Sequence, residues 1–306
     1  MTSLAPSFHY GGQALIEGVM IRGQKYLALA LRRPDGQLAL EVKPLSTFYT
    51  GRLRRIPFLR GGVVLAEALV LGTKSLLYSA QVFAGEPGEE EKISSWVVGT
   101  SLAMGVGLSV GLFIILPSLV TSLLPNTFSG IAFHAIEGAL RLGIFVGYLK
   151  LIGRWGEIKR VFAYHGAEHK TINAFEAGLP LEADKIKASS TAHTRCGTSF
   201  MFFVLVIAIL VFAFLGRPPL WWGIPARLLL LPFIAALSYE VIRFGTEHLQ
   251  KGPGRWLMVP GLALQSLTTR EPDEGQLEVA LAALKGALQA DEEGKEQDRI
   301  GDKPTP

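Results

Sequence analysis

The sequence predicts a mainly α integral membrane protein of α+β class, with four transmembrane helices, amphipathic cytoplasmic helices and a small N-terminal β-hairpin region. Three observations predict it: apolar residues gathered into blocks, lysine and arginine placed to one side of those blocks, and tryptophans at the block ends. Within the 306 residues, the stretches 96–124 and 197–215 contain no Lys, Arg, Asp or Glu, and each is long enough to cross a bilayer's hydrocarbon core. Two comparable stretches, 128–149 and 224–244, hold a few charges. With four crossings, the loop 149–195 lies on the same side as the N-terminus. It carries Lys150, Arg154, Lys159, Arg160, Lys170, Lys185, Lys187 and Arg195, whereas 117–129 has no basic residue and 216–226 only Arg217. Basic loops stay in the cytoplasm, which puts both termini and this loop there. Trp96, Trp155, Trp221, Trp222 and Trp256 fall at or near the ends of the expected spans, where amphipathic rings settle.

In chain order, residues 1–60 form a cytoplasmic glycine-rich loop and hairpin region. Arg33-Pro34-Asp35-Gly36 is a turn sequence between two strand-like runs, because proline fixes one φ and glycine accepts a positive one. The stretch 11–23, GGQALIEGVMIRG, has more glycine than a strand or helix interior holds comfortably and reads as a shaped loop offering Gln13, Glu17 and Arg22. Residues 61–95 give an amphipathic helix and an acidic linker. Glu67 and Lys74 share one helix face, so 61–84 is expected to lie along the membrane or cover the hairpin and not to cross. Spans one and two occupy 96–150, a histidine loop 151–196, and spans three and four 197–246. An interfacial segment and an amphipathic helix (276–290, with Leu277, Leu281, Leu284 and Leu288 inward) fill 247–290, and 291–306 is expected to be a disordered tail. No cleavable signal segment is apparent, so the mature chain is expected to begin near Met1. The single cysteine excludes an internal disulfide and suits a reducing compartment, and a net charge of +4 gives no nucleic-acid signal.

The histidine loop gathers three of the six histidines and the only cysteine. On a helix, His165 and His169 stand about 40° apart around the axis, with Glu168 on the flank, and that face can hold a metal. H-x-x-E-H is a pattern in which two histidines hold zinc and the glutamate acts as base. His193 and Cys196 lie just before an apolar span and supply borderline and soft donors as third or fourth ligands. Glu176 shares the helical stripe but sits about 10 Å further along the axis, beyond a shared ion. Glu247 and His248 are more distant candidates. Cys196, at a helix N-terminus beside Arg195, is biased toward thiolate, which serves either as ligand or as nucleophile.

Within the expected second span, His134, Glu137 and Arg141 fall on one stripe. Charges at that depth must face protein or water, either as an internal pair holding the bundle or as a pathway. Glu240, in the last span, is short and deep enough to need a partner.

The stretches GGQALIEGVMIRG, IPFLRGGVVLAEALVLGTKSLLYSA, YHGAEHKTINAFEAG, HTRCGTSF and LTTREPDEGQLEVALAALK resemble those of a bacterial multi-spanning membrane family, the YqhQ-like proteins. The resemblance runs over nearly the whole chain. It implies the inner membrane of a bacterium and no defined activity, beyond a label of predicted metal-dependent enzyme that rests on the same histidines. The reading that follows is an inner-membrane protein with a divalent metal, zinc by donor type, on His165, His169, His193 and Cys196. If the site is catalytic, Glu168 is the base of a metal-assisted hydrolysis at the membrane surface. The alternatives are a transport, pore or membrane-protein-assembly component using His134, Glu137 and Arg141, or a non-catalytic scaffold. Expected partners are membrane lipid, a second copy of the chain or a cytoplasmic protein.

Overall fold

The N-terminal residues fold into a four-stranded antiparallel meander in the order β1 (Gly11–Leu15), β2 (Gly18–Arg22), β3 (Tyr26–Arg32) and β4 (Leu38–Pro44). This is a computed structural model, and it describes residues 8, 10–51, 56–84, 95–125, 130–216, 218–248, 256 and 258–301. The β3–β4 hairpin turns where expected: Gly36 has φ +84° and the Arg33 N–H donates to the Gln37 carbonyl at 2.9 Å. The glycine-rich stretch, expected as a loop, is instead the β1–β2 hairpin, with Gly12 opposite Ile21 and Val19 opposite Ala30 of β3. The glycines admit close neighbours. A Cβ on Gly12 would meet the Met20 carbonyl at 2.5 Å and the Glu168 side chain at 2.9 Å, and one on Gly18 would meet Leu31 at 2.3 Å.

Alternation along β3 divides two cores. Leu27, Leu29 and Leu31 face one way with Leu15 and Met20, against Tyr78 and Val82 of α2 (Leu59–Phe83). Ala28 and Ala30 face the other way with Val19 and Ile21. That second face packs on α6 (Gly156–Glu176) and on α11 (Glu274–Gly301) through Tyr164, Ala167, Leu277, Ala280 and Leu284. The short α1 (Thr47–Thr50) follows the sheet. The sheet, α6 and α11 thus share one core, so they form a single lobe.

The α11 helix begins with a reciprocal cap in which Gln276 N–H donates to Asp273 Oδ1 and Asp273 N–H to Gln276 Oε1. It does not end at Ala290. The expected disordered tail is helical through Gly301, because buried Asp291 accepts hydrogen bonds from the Tyr10 hydroxyl and from the N–H groups of Gln24 and Lys25. Residues 302–306 lie outside the described residues.

The rest is a helical bundle: α3 (Ser95–Val110) continued by a π-helical turn (Gly111–Ile115) and α4 (Leu116–Ser122), then α5 (Gly130–Ile152), α8 (Gly197–Ala213), α9 (Leu220–His248) and α10 (Val259–Gln265). The short α7 (Ala183–Lys187) packs on the lobe, where Ile186 is fully buried. Phe145, Leu149, Leu205 and Leu264 form one bundle core, and Ile207, Ala208, Phe212 and Ile234 another.

Four spans were expected. Among the described residues, three helices are long and apolar enough to cross a membrane: Leu59–Phe83, Trp96–Ser122 and Leu220–Gly245. The first of these was expected not to cross. Two of its three charges are paired, Arg60 with Glu240 of α9 and Glu67 with Arg22 of β2, and Lys74 is the third; the rest of the helix is apolar enough to qualify. The expected third span is only 17 residues of helix, about 25 Å. The expected second, α5, is not among the three and carries His134, Glu137, Arg141 and Lys150.

Candidate metal centre

The α6 helix carries His165 and His169 on the face turned toward the N-terminus of α8, whose N-cap residue is Cys196. The intervening loop is tied back onto α6 by three side-chain bonds. Lys170 Nζ donates to the Lys187 carbonyl, and Asn173 Nδ2 donates to the carbonyls of Ser190 and Ala192. The Cys196 thiol sulfur comes to 3.2 Å from His165 Nε2 and accepts from the Thr198 N–H. One donor atom each from His165, His169 and Cys196 lies within 4.8 Å of the other two.

Both rings are oriented from behind. His165 Nδ1 is 2.9 Å from the Thr268 carbonyl and His169 Nδ1 is 2.6 Å from the Thr191 carbonyl. A carbonyl can only accept, so each Nδ1 carries the proton and each Nε2 is left for a ligand. Burial opposes ionisation of the Cys196 thiol, but hydrogen bonds from His165 and His169 outweigh it and bring the thiol down to about 4. Burial likewise lowers His169, while Glu168 and Cys196 raise it further, to about 9. His165 is raised in the same way by Cys196 against its burial. Glu168 is buried with Oε2 3.4 Å from His169 Nε2.

Two imidazoles and a thiolate are the donor set of tetrahedral zinc, whose ligand atoms stand roughly 3.5 Å apart at bond lengths near 2.0–2.3 Å. Cys196 Sγ and His165 Nε2 stand near that separation at 3.2 Å, and all three donor atoms lie within 4.8 Å of one another.

His193 does not join them. Its backbone is clamped by buried Gln265, which accepts from its N–H at 2.8 Å and donates to its carbonyl at 2.9 Å. Its Nε2 faces Glu176 Oε2 at 3.4 Å, and Glu176 also pairs with Arg195. The ring of His193 is 5.6 Å from that of His169, so the expected four-ligand set closes on three. Glu17 and Arg22 are also elsewhere. Glu17, at φ 51° in the hairpin turn, pairs with Arg160 and Tyr164 of α6, and Arg22 pairs with Glu67. Gln13 sits against Gly72 of α2. Glu240 has the partner it needed, Arg60. The side chains of Glu247 and His248 lie outside the described residues.

The stripe on α5 is drawn into a network. Glu137 accepts from Ser118, from Arg141 and from Arg227 of α9, and His134 Nδ1 lies 3.4 Å from its carboxylate. His134 Nε2 donates to the Gly216 carbonyl and Arg141 Nε to that of Phe113.

The family described as Protein of unknown function (DUF1385) matches residues 56–290. Uncharacterized protein YqhQ of Bacillus subtilis (strain 168) is 35% identical over 295 residues, covering 91% of this chain and 92% of that protein. The chain belongs to this family. No solved structure matches it. Family membership brings no activity with it, so the chemistry of this YqhQ-like chain has to be read from its own side chains.

Several residues that build these sites were not anticipated. The Thr191 and Thr268 carbonyls have no side-chain signature. Gln265 sits in an apolar segment, where an amide needs a partner. Arg227 was detectable as a lone cation at the start of the last apolar stretch, demanding a counter-charge.

Proposed function

We propose that this protein is a multi-pass membrane protein holding a divalent metal, zinc by donor type, on His165, His169 and Cys196, and that the centre serves a hydrolytic reaction. The observation that carries this reading is the convergence of two carbonyl-oriented imidazoles on a single thiol at a helix N-terminus. Three protein ligands leave a fourth position open, the arrangement of catalytic zinc. When bound, zinc would supply a Lewis acid and lower the pKa of water. Glu168, whose Oε2 is 3.4 Å from His169 Nε2, would be the base, and the Thr191 and Thr268 carbonyls hold the rings in the tautomer the ligands need.

A membrane placement is supported by topology. Because the sheet, α6 and α11 pack in one core, a chain that crosses must do so an even number of times between residues 44 and 156, and again between 176 and 274. In the first interval either α2 with α3–α4 or α3–α4 with α5 would meet that condition, and in the second α8 with α9 would, with the lobe on the cytoplasmic side by its basic residues. Exposed Trp96, Met104, Leu123, Phe214 and Leu229 give the bundle an apolar outside.

The test is metal analysis of the purified protein and of two variants. His165→Ala with His169→Ala should abolish stoichiometric metal, and Glu168→Gln should keep it. Metal absent from the wild type, or present at unchanged content in the double variant, removes the proposal.

The 3.2 Å thiol–imidazole contact also favours a second reading, a Cys196 nucleophile with His165 as its base and the Thr268 carbonyl as orienter. It predicts that protein stripped of metal by chelator keeps its activity and that iodoacetamide abolishes it.

A further inference from the structure

We infer that the cavity between the β3–β4 face and α2 binds one anionic phospholipid, its headgroup on Lys43 and Lys74 and part of a chain on the leucines beneath. The cavity has a volume of about 490 Å³, within the roughly 300–1,000 Å³ of ligand sites. Its floor is the buried pair Leu27 and Leu29, its far wall Val70 and Leu71, and both of its lysines are exposed. Among the described lining residues there are two lysines and no acid. Lys43 is bonded to Glu41 outside the lining and lies over the Tyr78 ring at 5.0 Å, so Lys74 carries the larger share of the attraction.

What selects a lipid over a free anion is the orientation of α2. It turns its small and polar residues inward, with Glu67, Gly72, Ser75 and Ser79 buried against the sheet. It turns Leu69, Leu76 and Phe83 outward at 62%, 38% and 51% exposure. These three are seven residues apart and so lie on one face, the reverse of a helix whose outer side meets water and the pattern of one lying against lipid. Val70, beside Leu69, belongs both to the cavity wall and to the exposed surface, which joins the cavity to that stripe.

This site rests on the membrane placement proposed above and not on the metal. It is tested by native mass spectrometry of the full chain released from detergent micelles, with phosphatidylglycerol, phosphatidylcholine or glycerol 3-phosphate added. Expected is one retained phosphatidylglycerol per chain, with much weaker retention of phosphatidylcholine and none of glycerol 3-phosphate. Lys74→Gln should weaken it roughly fivefold, Lys43→Gln by less, and Val70→Trp should block it. Equal retention of the two lipids, equal retention of the chainless phosphate, or undiminished binding in all three variants would overturn the proposal. Unchanged circular dichroism in each variant shows that the fold is intact. Carbonate extraction of native membranes separately tests the placement, since a chain released by carbonate fails that reading whatever the lipid result.

Discussion

The lobe and the bundle are built on opposite rules. In the lobe, the core of Val19, Ile21, Ala28, Leu277 and Leu284 is apolar, and its charged pairs, such as Arg32–Glu278 and Lys187–Glu274, lie at the surface. In the bundle, large apolar residues such as Trp96, Met104, Phe214 and Leu229 face out around its apolar cores, while Glu137, Arg141 and Arg227 are buried together. Buried charges are costly singly and tolerable only as a satisfied set. The bundle's specificity therefore sits in one carboxylate, and the lobe's in many small contacts. Removing that carboxylate should have the largest single effect in the molecule. Glu137→Leu leaves two guanidinium groups without their counter-charge and should destabilise the protein by about 3–5 kcal/mol, read as lost yield and a lowered unfolding temperature in detergent. Leucine at 137, 141 and 227 together should recover much of the loss. A single variant as stable as the wild type would mean that water reaches the network.

Among the lobe's own buried charges, Asp291 provides the next comparison. Asp291 joins α11 to the β2–β3 turn through the Gln24 and Lys25 N–H groups and to Tyr10 through its hydroxyl, three donors in all. Asp291→Ala strands those donors and should cost about 1–3 kcal/mol, with hydrogen exchange accelerated in the β2–β3 turn and unchanged in α8 and α9. Faster exchange in the bundle as well would show that the two regions do not unfold separately.

The same contrast explains what was legible beforehand. The histidine pair and its glutamate were legible because helical periodicity alone sets His165 and His169 on one face. The approach of Cys196 was legible because a cysteine entering an apolar helix has few other uses for a thiolate. The diversion of His193 was not. It depends on Gln265 and Glu176, which reach it from 72 and 17 residues away and leave no local pattern. The glycines at 12 and 18 were misread because glycine's flexibility argues for a loop, whereas here its missing side chain lets β1 and β2 approach α6 and β3. The tail beyond Ala290 was misread because its composition is polar, while its order comes from one buried carboxylate.

The smallest expected effect lies where the sheet and the histidine helix meet at the surface. The Arg160 guanidinium, with help from Tyr164, outweighs burial and holds the Glu17 carboxyl below its usual range. A carboxyl with a lowered folded pKa contributes stability above its unfolded value of 4.5 and loses it as the pH falls through the folded one. Arg160 is 55% exposed, so solvent screens the pair and its worth is under about 1 kcal/mol. Glu17→Gln should therefore lower the unfolding temperature slightly at pH 7. The gap to the wild type should narrow on acidification below pH 4.5, because the wild-type carboxyl is then itself being protonated. A gap that persists unchanged at the acid end would mean that the strained turn at φ 51°, and not the charge, is what Glu17 stabilises.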